Sequence, residues 1–226
     1  FNTSSASWAS RNSRLRRAIS FCSSDIYAAG DAVQVKHYVT GDDALISLAG
    51  PANKQGRIIA DNICGGDSRY LGSQGSSVIK VFDITAATTG INETNAKKSG
   101  LEVDTVILSP MSHAGYYPGG KVMTMKVVFE KETYRLLGAQ IIGYEGVDKR
   151  IDVLATAIHA GLRATQLKDL DLAYAPPYSS AKDPVNMAGF MIDNIAKGTL
   201  KQWHLEDMDK ISKDKSVVLL DVRTVG

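Results

Sequence analysis

Two consecutive segments limit the possible folds of this chain more than any other feature. Residues 121–130, KVMTMKVVFE, alternate along their length, and residues 134–144, YRLLGAQIIGY, answer them. Glu130–Thr133 between the two is a turn of hairpin length. An isolated hairpin is marginal in water, so the pair needs further strands or a helix to cover its apolar face. The flanking sequence supplies both. Val78–Thr85 and Thr105–Ser109 read as strands, and Ile91–Lys98 reads as a short helix stopped by Gly100. Val147–Leu162 reads as a long amphipathic helix with Val147, Ile151, Leu154, Ile158 and Leu162 in line. After an extended segment, AYAPPYSS, Asp183 and Pro184 form an N-cap and N1 pair that opens a last helix, closed by Gly198. The expected fold class is α+β, an antiparallel sheet layered with helices.

The sequence before this unit has a different character. Ala44–Ile63 carries helical periodicity, and Gly50-Pro51 sets the start near Leu48, because proline is tolerated in a first turn. Gly65-Gly66 ends that helix, and Tyr70–Ser77 reads as a polar Gly/Ser linker. Further upstream, the apolar run Ile26–Ala29 meets Gly30 and Asp31 and reads as a buried strand ending in a carboxylate. In open α/β sheets ligands bind at the carboxyl ends of strands. From the residues alone, Asp31 is either half of a ligand site or a turn cap. Residues 1–24 are rich in Ser and Arg and poor in acids, a composition that imitates a transit peptide. They run straight into the strand motif, and the expectation is a foreign or disordered segment. Ser216–Arg223, SVVLLDVR, reads as one more buried strand, the start of a further unit.

Overall composition excludes several classes. With 226 residues, a net charge of +2 and 44% hydrophobic content, the chain suits one large or two small globular domains. The balanced charge argues against nucleic acid and anionic membranes as partners. Cys22 and Cys64 form no C-x-x-C pair and no disulfide framework, which fits a reducing cytoplasm. No metal site and no catalytic nucleophile is expected.

At this point several motifs together carry a resemblance. DIYAAGDA resembles the second FAD-contacting motif of the pyridine nucleotide-disulfide oxidoreductases, and LAGPANKQGRIIADNI resembles the helix after it. SHAGYYPGG and AYAPPYSSAKDPVNMAG resemble the coenzyme A-disulfide reductase and NADH oxidase branch, and LLDVRT resembles the opening strand of a rhodanese domain. The resemblance implies four parts: the atypical residues 1–24, a C-terminal remnant of an α/β FAD-binding domain over 25–77, a dimerisation domain over 78–205, and a linker with the first rhodanese strand over 206–226. It implies that Gly30, Asp31, Leu48 and Ala49 contact FAD, Asp31 through the ribityl chain. It also implies that Tyr116, Tyr174 and Lys182 reach a coenzyme A disulfide or persulfide in the partner subunit of a homodimer. Tyr117 and Tyr178 are the neighbours that take these places if the register slips. From the residues alone, the same tyrosines read as packing anchors. The Gly-rich dinucleotide fingerprint, the NAD(P)H domain and the reactive cysteine of the family would precede this stretch. The chain by itself is therefore expected to be colourless and inactive. The histidine that the glutathione reductase branch of the family uses as its acid-base catalyst is missing from residues 173–186, which argues against a glutathione- or lipoamide-type parent, and His113 and His159 read as structural. Two alternatives stay open: an NADH oxidase reducing oxygen or peroxide, and a flavin-free dimerisation module.

Overall fold

The computed structural model describes residues 26–220. It begins with a small ribbon, β1 (Gln34–Lys36) paired antiparallel with β2 (Asp43–Leu45), followed by helix α1 (Ala49–Ile63). The main body is a five-stranded antiparallel sheet of order β3-β4-β7-β6-β5, formed by β3 (Ser77–Val81), β4 (Ile84–Gly90), β5 (Val103–Leu108), β6 (Thr124–Glu130) and β7 (Leu136–Gly143). The short helix α2 (Glu93–Lys98) links β4 to β5. Helices α3 (Val147–His159) and α4 (Pro184–Ala196) complete the body, and the fold is α+β as expected.

The predicted hairpin is the centre of the sheet. β6 and β7 pair antiparallel from Thr124–Ile142 to Phe129–Leu136, with a bulge at Val128/Phe129. Alternation along these strands sends Met125, Val127 and Ile141 into the core, where Leu154, Val185 and Ile192 from α3 and α4 are also buried. On the opposite face of the sheet, Ile79 of β3, Ile107 of β5 and Ile142 of β7 stay exposed. That face is open among the described residues. Asp183 caps α4 by accepting from the Val185 N–H, with Pro184 at N1, as the sequence predicts.

Three expectations need correction. Val78–Thr85 is not one strand: it is broken into the β3–β4 hairpin by a turn at Phe82-Asp83, with Phe82 at φ 53°. No Gly or Asn stands at the positive-φ position, and Asp83 alone is a weak turn signal inside an apolar run. Ile26–Ala29 forms no buried strand; Ile26 is exposed, and among the described residues no strand runs alongside to complete a ladder. Residues 216–220 form no strand either, and Val218, Leu219 and Leu220 are exposed. Asp221–Arg223 and residues 1–24 lie outside the described residues.

The Gly/Ser segment Tyr70–Ser77 is more than a tether. Ser73 bridges to the ribbon, donating to the Lys36 carbonyl and accepting from the Tyr38 N–H. Gln74 reaches the Ala155 carbonyl of α3 at 2.9 Å. The ribbon is thereby held against the main body, and Tyr38 adds a hydroxyl hydrogen bond to the His159 carbonyl and stacks on the His159 ring.

Candidate functional site

Two connections meet beside the first turns of α3. One is the loop between β5 and β6, residues 109–123, which carries Tyr116. The other is the extended segment 170–183, which carries Tyr174, Tyr178 and Lys182. The first loop is pinched at its base, where Ser112 and Lys121 exchange hydrogen bonds. The second makes a turn at Ala175–Ser179 and meets the first directly, the Ala114 N–H donating to the Ser179 carbonyl at 2.9 Å.

This places the phenol oxygens of Tyr116 and Tyr174 2.6 Å apart. Both rings are at the surface of the chain, 76% and 44% exposed. The hydrogen bond with Tyr116 holds the Tyr174 phenol above its ordinary pKa. A phenol kept protonated is a neutral donor, and in a hydrogen-bonded pair one O–H remains free to point outward. Tyr117 instead meets the buried His113 edge-on, and Tyr178 projects into solvent without reaching the pair. Lys182 holds its ammonium 5.8 Å from the centre of the Phe190 ring, a cation–π arrangement on the first turns of α4. Lys149 braces the Tyr174 segment by donating to the Ala173 carbonyl.

The residue that gathers these loops was not singled out in the sequence. Arg150 lies on the apolar stripe of α3, 1% exposed, between Val147 and Leu154. Its guanidinium pairs with Asp183, 2% exposed, at 2.9 Å. It also donates to the carbonyls of Gly146, Ser112 and Tyr178 and to the Ser179 hydroxyl, at 3.0–3.3 Å. Ser179 in turn donates to Asp183 at 2.6 Å. The signal was present: an arginine three residues after Val147 falls on the face that Ile151 and Leu154 bury. Gly146 is required beside it, with φ 68° and a backbone so close that a Cβ would overlap the Arg150 terminal nitrogen. A second pair missed in the sequence is His204 with Asp104, at 2.9 Å, which fastens the C-terminal segment to β5.

The second candidate group lies at the start of α1. Leu48 is the N-cap and makes no side-chain cap, and the first turn holds no acid. The Ala49 and Gly50 N–H groups therefore remain as donors at the positive end of the helix. Asp31 is carried beside them, because the Ser47 hydroxyl donates to its backbone carbonyl at 3.2 Å, and the Gly30 N–H donates to Gln55 of α1 at 2.8 Å. Gly30 has φ 93°, and the space where its Cβ would stand is open. The Asp31 carboxylate is exposed and bonds no described residue. A carboxylate acceptor next to free helix donors, with an open backbone approach, fits a polyol chain joined to a ring that becomes anionic. The arrangement is compatible with a flavin at Gly30, Asp31, Leu48 and Ala49. Among the described residues, no group of three His, Cys, Asp or Glu side chains could hold a metal ion, and no helix is long and apolar enough to cross a membrane.

Comparison with known proteins places the main body in a family. Residues 76–184 match the pyridine nucleotide-disulphide oxidoreductase dimerisation domain. The NAD(P)H sulfur oxidoreductase (CoA-dependent) of Pyrococcus abyssi is 38% identical over 71% of this chain and 36% of its own length. The coenzyme A disulfide reductase of Staphylococcus epidermidis is 36% identical over 74% of this chain and 38% of its own. Among solved structures, reduced Bacillus anthracis CoADR-RHD superposes with a TM-score of 0.80 at 50% identity, covering 83% of this chain and 34% of that one. The chain thus spans little more than a third of the length of these curated relatives. On this sequence match and shared fold, residues 76–184 belong to the pyridine nucleotide-disulphide oxidoreductase dimerisation domain family.

Proposed function

We propose that this chain supplies the dimerisation portion, and one edge of the flavin site, of an FAD-dependent NAD(P)H reductase acting on coenzyme A disulfide or persulfide. The observation that carries the reading is the Tyr116–Tyr174 phenol pair, 2.6 Å apart on two loops that also deliver Lys182. A sulfur leaving group develops negative charge, and a neutral phenol donor stabilises it. The Lys182 ammonium is a point charge suited to the phosphates of coenzyme A. The high exposure of both phenols fits residues that work against a second subunit. So does the open sheet face, whose Ile79, Ile107 and Ile142 are apolar and exposed. A symmetric homodimer would bring the tyrosines of one copy to the other's reactive centre.

In this reading Asp31 accepts a ribityl hydroxyl, Gly30 allows the backbone to approach, and the α1 N-terminus at Leu48 and Ala49 faces the flavin pyrimidine edge. FAD bound there would carry reducing equivalents from NAD(P)H towards the disulfide. The reactive cysteine belongs to the part of the enzyme that would precede this stretch, so residues 25–77 complete a flavin domain, 78–205 dimerise and 206–226 lead to a further unit.

The test is thiol release from coenzyme A disulfide, driven by NADH or NADPH, in the full-length enzyme carrying this sequence. Tyr174→Phe is expected to lower kcat, and Lys182→Met to raise KM for the coenzyme A substrate with kcat largely kept. NADH-dependent oxygen uptake without thiol release would refute the substrate assignment and support an oxidase. A flavin-free full-length protein would refute the enzyme reading altogether.

A further inference from the structure

We infer that Arg150 is a positioning residue for the tyrosine site: by tying both tyrosine loops to one helix, its guanidinium sets the contact between Tyr116 and Tyr174. The inference rests on the reading of that pair as the substrate end of the molecule, and its geometry stands independently. The two rings have little packing of their own, so the separation of their hydroxyls is decided by their backbones. Those backbones converge on one cation. Ser112, four residues before Tyr116, offers its carbonyl to Arg150 at 3.0 Å. Tyr178, four residues after Tyr174, offers its carbonyl at 3.3 Å, and Ser179 its hydroxyl at 3.1 Å. Asp183, next to Lys182, takes the charge. The Ala114–Ser179 backbone hydrogen bond then joins the two loops edge to edge.

An arginine is needed for this. Its planar fork presents five N–H donors in fixed directions, which lets one group serve acceptors on α3, the β5–β6 loop, the tyrosine segment and the cap of α4 together. A lysine offers three donors from one point and cannot span them. The structural packing of α3 on the sheet is left to Ile151, Leu154 and Ile158, which Arg150 does not need. Its bonds go to the loops instead.

The experiment uses the 226-residue chain carrying tyrosine labelled with 13C at Cζ, which reports each phenol's titration separately. Tyr116→Phe and Tyr174→Phe assign the two resonances. Wild-type Tyr174 is expected to titrate above the ordinary phenol value of about 10, and Tyr116→Phe to bring it back. Arg150→Lys should do the same while leaving the resonances of Tyr38 and Tyr134 unmoved. Should Arg150→Lys not fold, the double variant Arg150→Met/Asp183→Asn removes the buried charge together with its partner and keeps an N-cap acceptor. Lys149 is retained in every variant. A folded variant in which Tyr174 still titrates as in the wild type overturns the inference, as does a wild type in which Tyr116→Phe changes nothing. Neither readout involves coenzyme A, flavin or turnover. Failure of the substrate reading would leave this result intact, and failure here would leave thiol release to be judged separately.

Discussion

Replacing Arg150 by methionine is the sharpest perturbation of stability that the structure offers. The side chain is 1% exposed and its partner Asp183 2% exposed, so the variant leaves a carboxylate inside the protein with only the Ser179 hydroxyl and the Val185 N–H for company. Breaking a buried pair by removing one member costs about 3–5 kcal/mol, because the remaining charge is uncompensated. Carbonyls of Ser112 and Tyr178 lose a charged donor as well, and burial leaves them few substitutes. In a chain of this size each kcal/mol moves Tm by about 2–4 °C, so Arg150→Met should melt about 6–20 °C below the wild type. The assay is calorimetric or circular-dichroism melting of wild type, Arg150→Met, Asp183→Asn and the double variant. Asparagine keeps the N-cap acceptor and removes the charge, so the double variant should be more stable than Arg150→Met alone. That sign is the decisive one: a coupled buried pair gives non-additive losses. If Arg150→Met melts within about 2 °C of the wild type, or the two single losses simply add, the guanidinium does not organise these loops and the reasoning fails.

Other outcomes can be stated more briefly. Gly146→Ala should lower stability by about 1–3 kcal/mol in urea unfolding, since it combines φ 68° with an overlap on a pinned Arg150 terminus; an unchanged midpoint would contradict the geometry. Leu154→Ala, fully buried between α3 and the sheet, should cost about 2–5 kcal/mol by the same assay. Glu93 is held at about 2 by hydrogen bonds from Lys126 first and Lys97 second. Its folded pKa lies below its unfolded one, so its contribution is complete above about pH 4.5 and disappears as pH falls towards 2. Glu93→Gln should therefore lower Tm at pH 6 and converge with the wild type near pH 2; a constant offset across that range would refute the assignment. In light scattering, the chain should have twice its 24.3 kDa mass, and substituting the exposed Ile142 with Lys should weaken that association if the open sheet face takes part.

Much of the main sheet was legible because its signals are local. Alternation in residues 121–144, the helical line from Val147 to Leu162 and the Asp183-Pro184 cap each need only their own sequence neighbours to take effect. The misread elements depended on something distant or unsignalled. Ile26–Ala29 has the composition of a buried strand, yet an apolar run becomes a strand only when a neighbour pairs with it, and no neighbour among the described residues does. The β3–β4 turn uses Phe82 at positive φ, a conformation that sequence patterns assign to Gly or Asn. Candidate site residues were named through resemblance, and the structure adds the spacing: Tyr116 and Tyr174, 58 positions apart in the sequence, meet at their hydroxyls, and Tyr178 does not. Arg150 was hidden because a charge on a helix reads as solvated unless its exact face is followed.

The energetics of the phenol pair show why a buried residue must matter to an exposed site. A neutral hydrogen bond contributes about 0.5–1.5 kcal/mol net, and less where water competes for both partners. Tyr116 is 76% exposed, so the pair's own hydrogen bond is too weak to hold two loops in register against their conformational freedom. The ordering force has to come from where water is excluded, and the buried ion pair beneath these loops among the described residues is Arg150 with Asp183, joined by the Ser179 hydroxyl. Charge-assisted bonds there are stronger than neutral ones and share a single origin on α3, which is itself fixed to the sheet by Ile151, Leu154 and Ile158. The hairpin in the sequence thus supports a helix, the helix carries one buried cation, and the cation holds the two loops whose tips bear the phenols. The residues proposed for the flavin follow the opposite plan. Among the described residues, Gly30 and Asp31 are tied to α1 and the residue pair before it only through Gln55 and the Ser47–Asp31 contact, with no buried charge beneath them. That edge should accordingly loosen first on warming, and hydrogen exchange at Gly30 and Ala49 should outrun exchange at Val127 and Ile141 in the central hairpin.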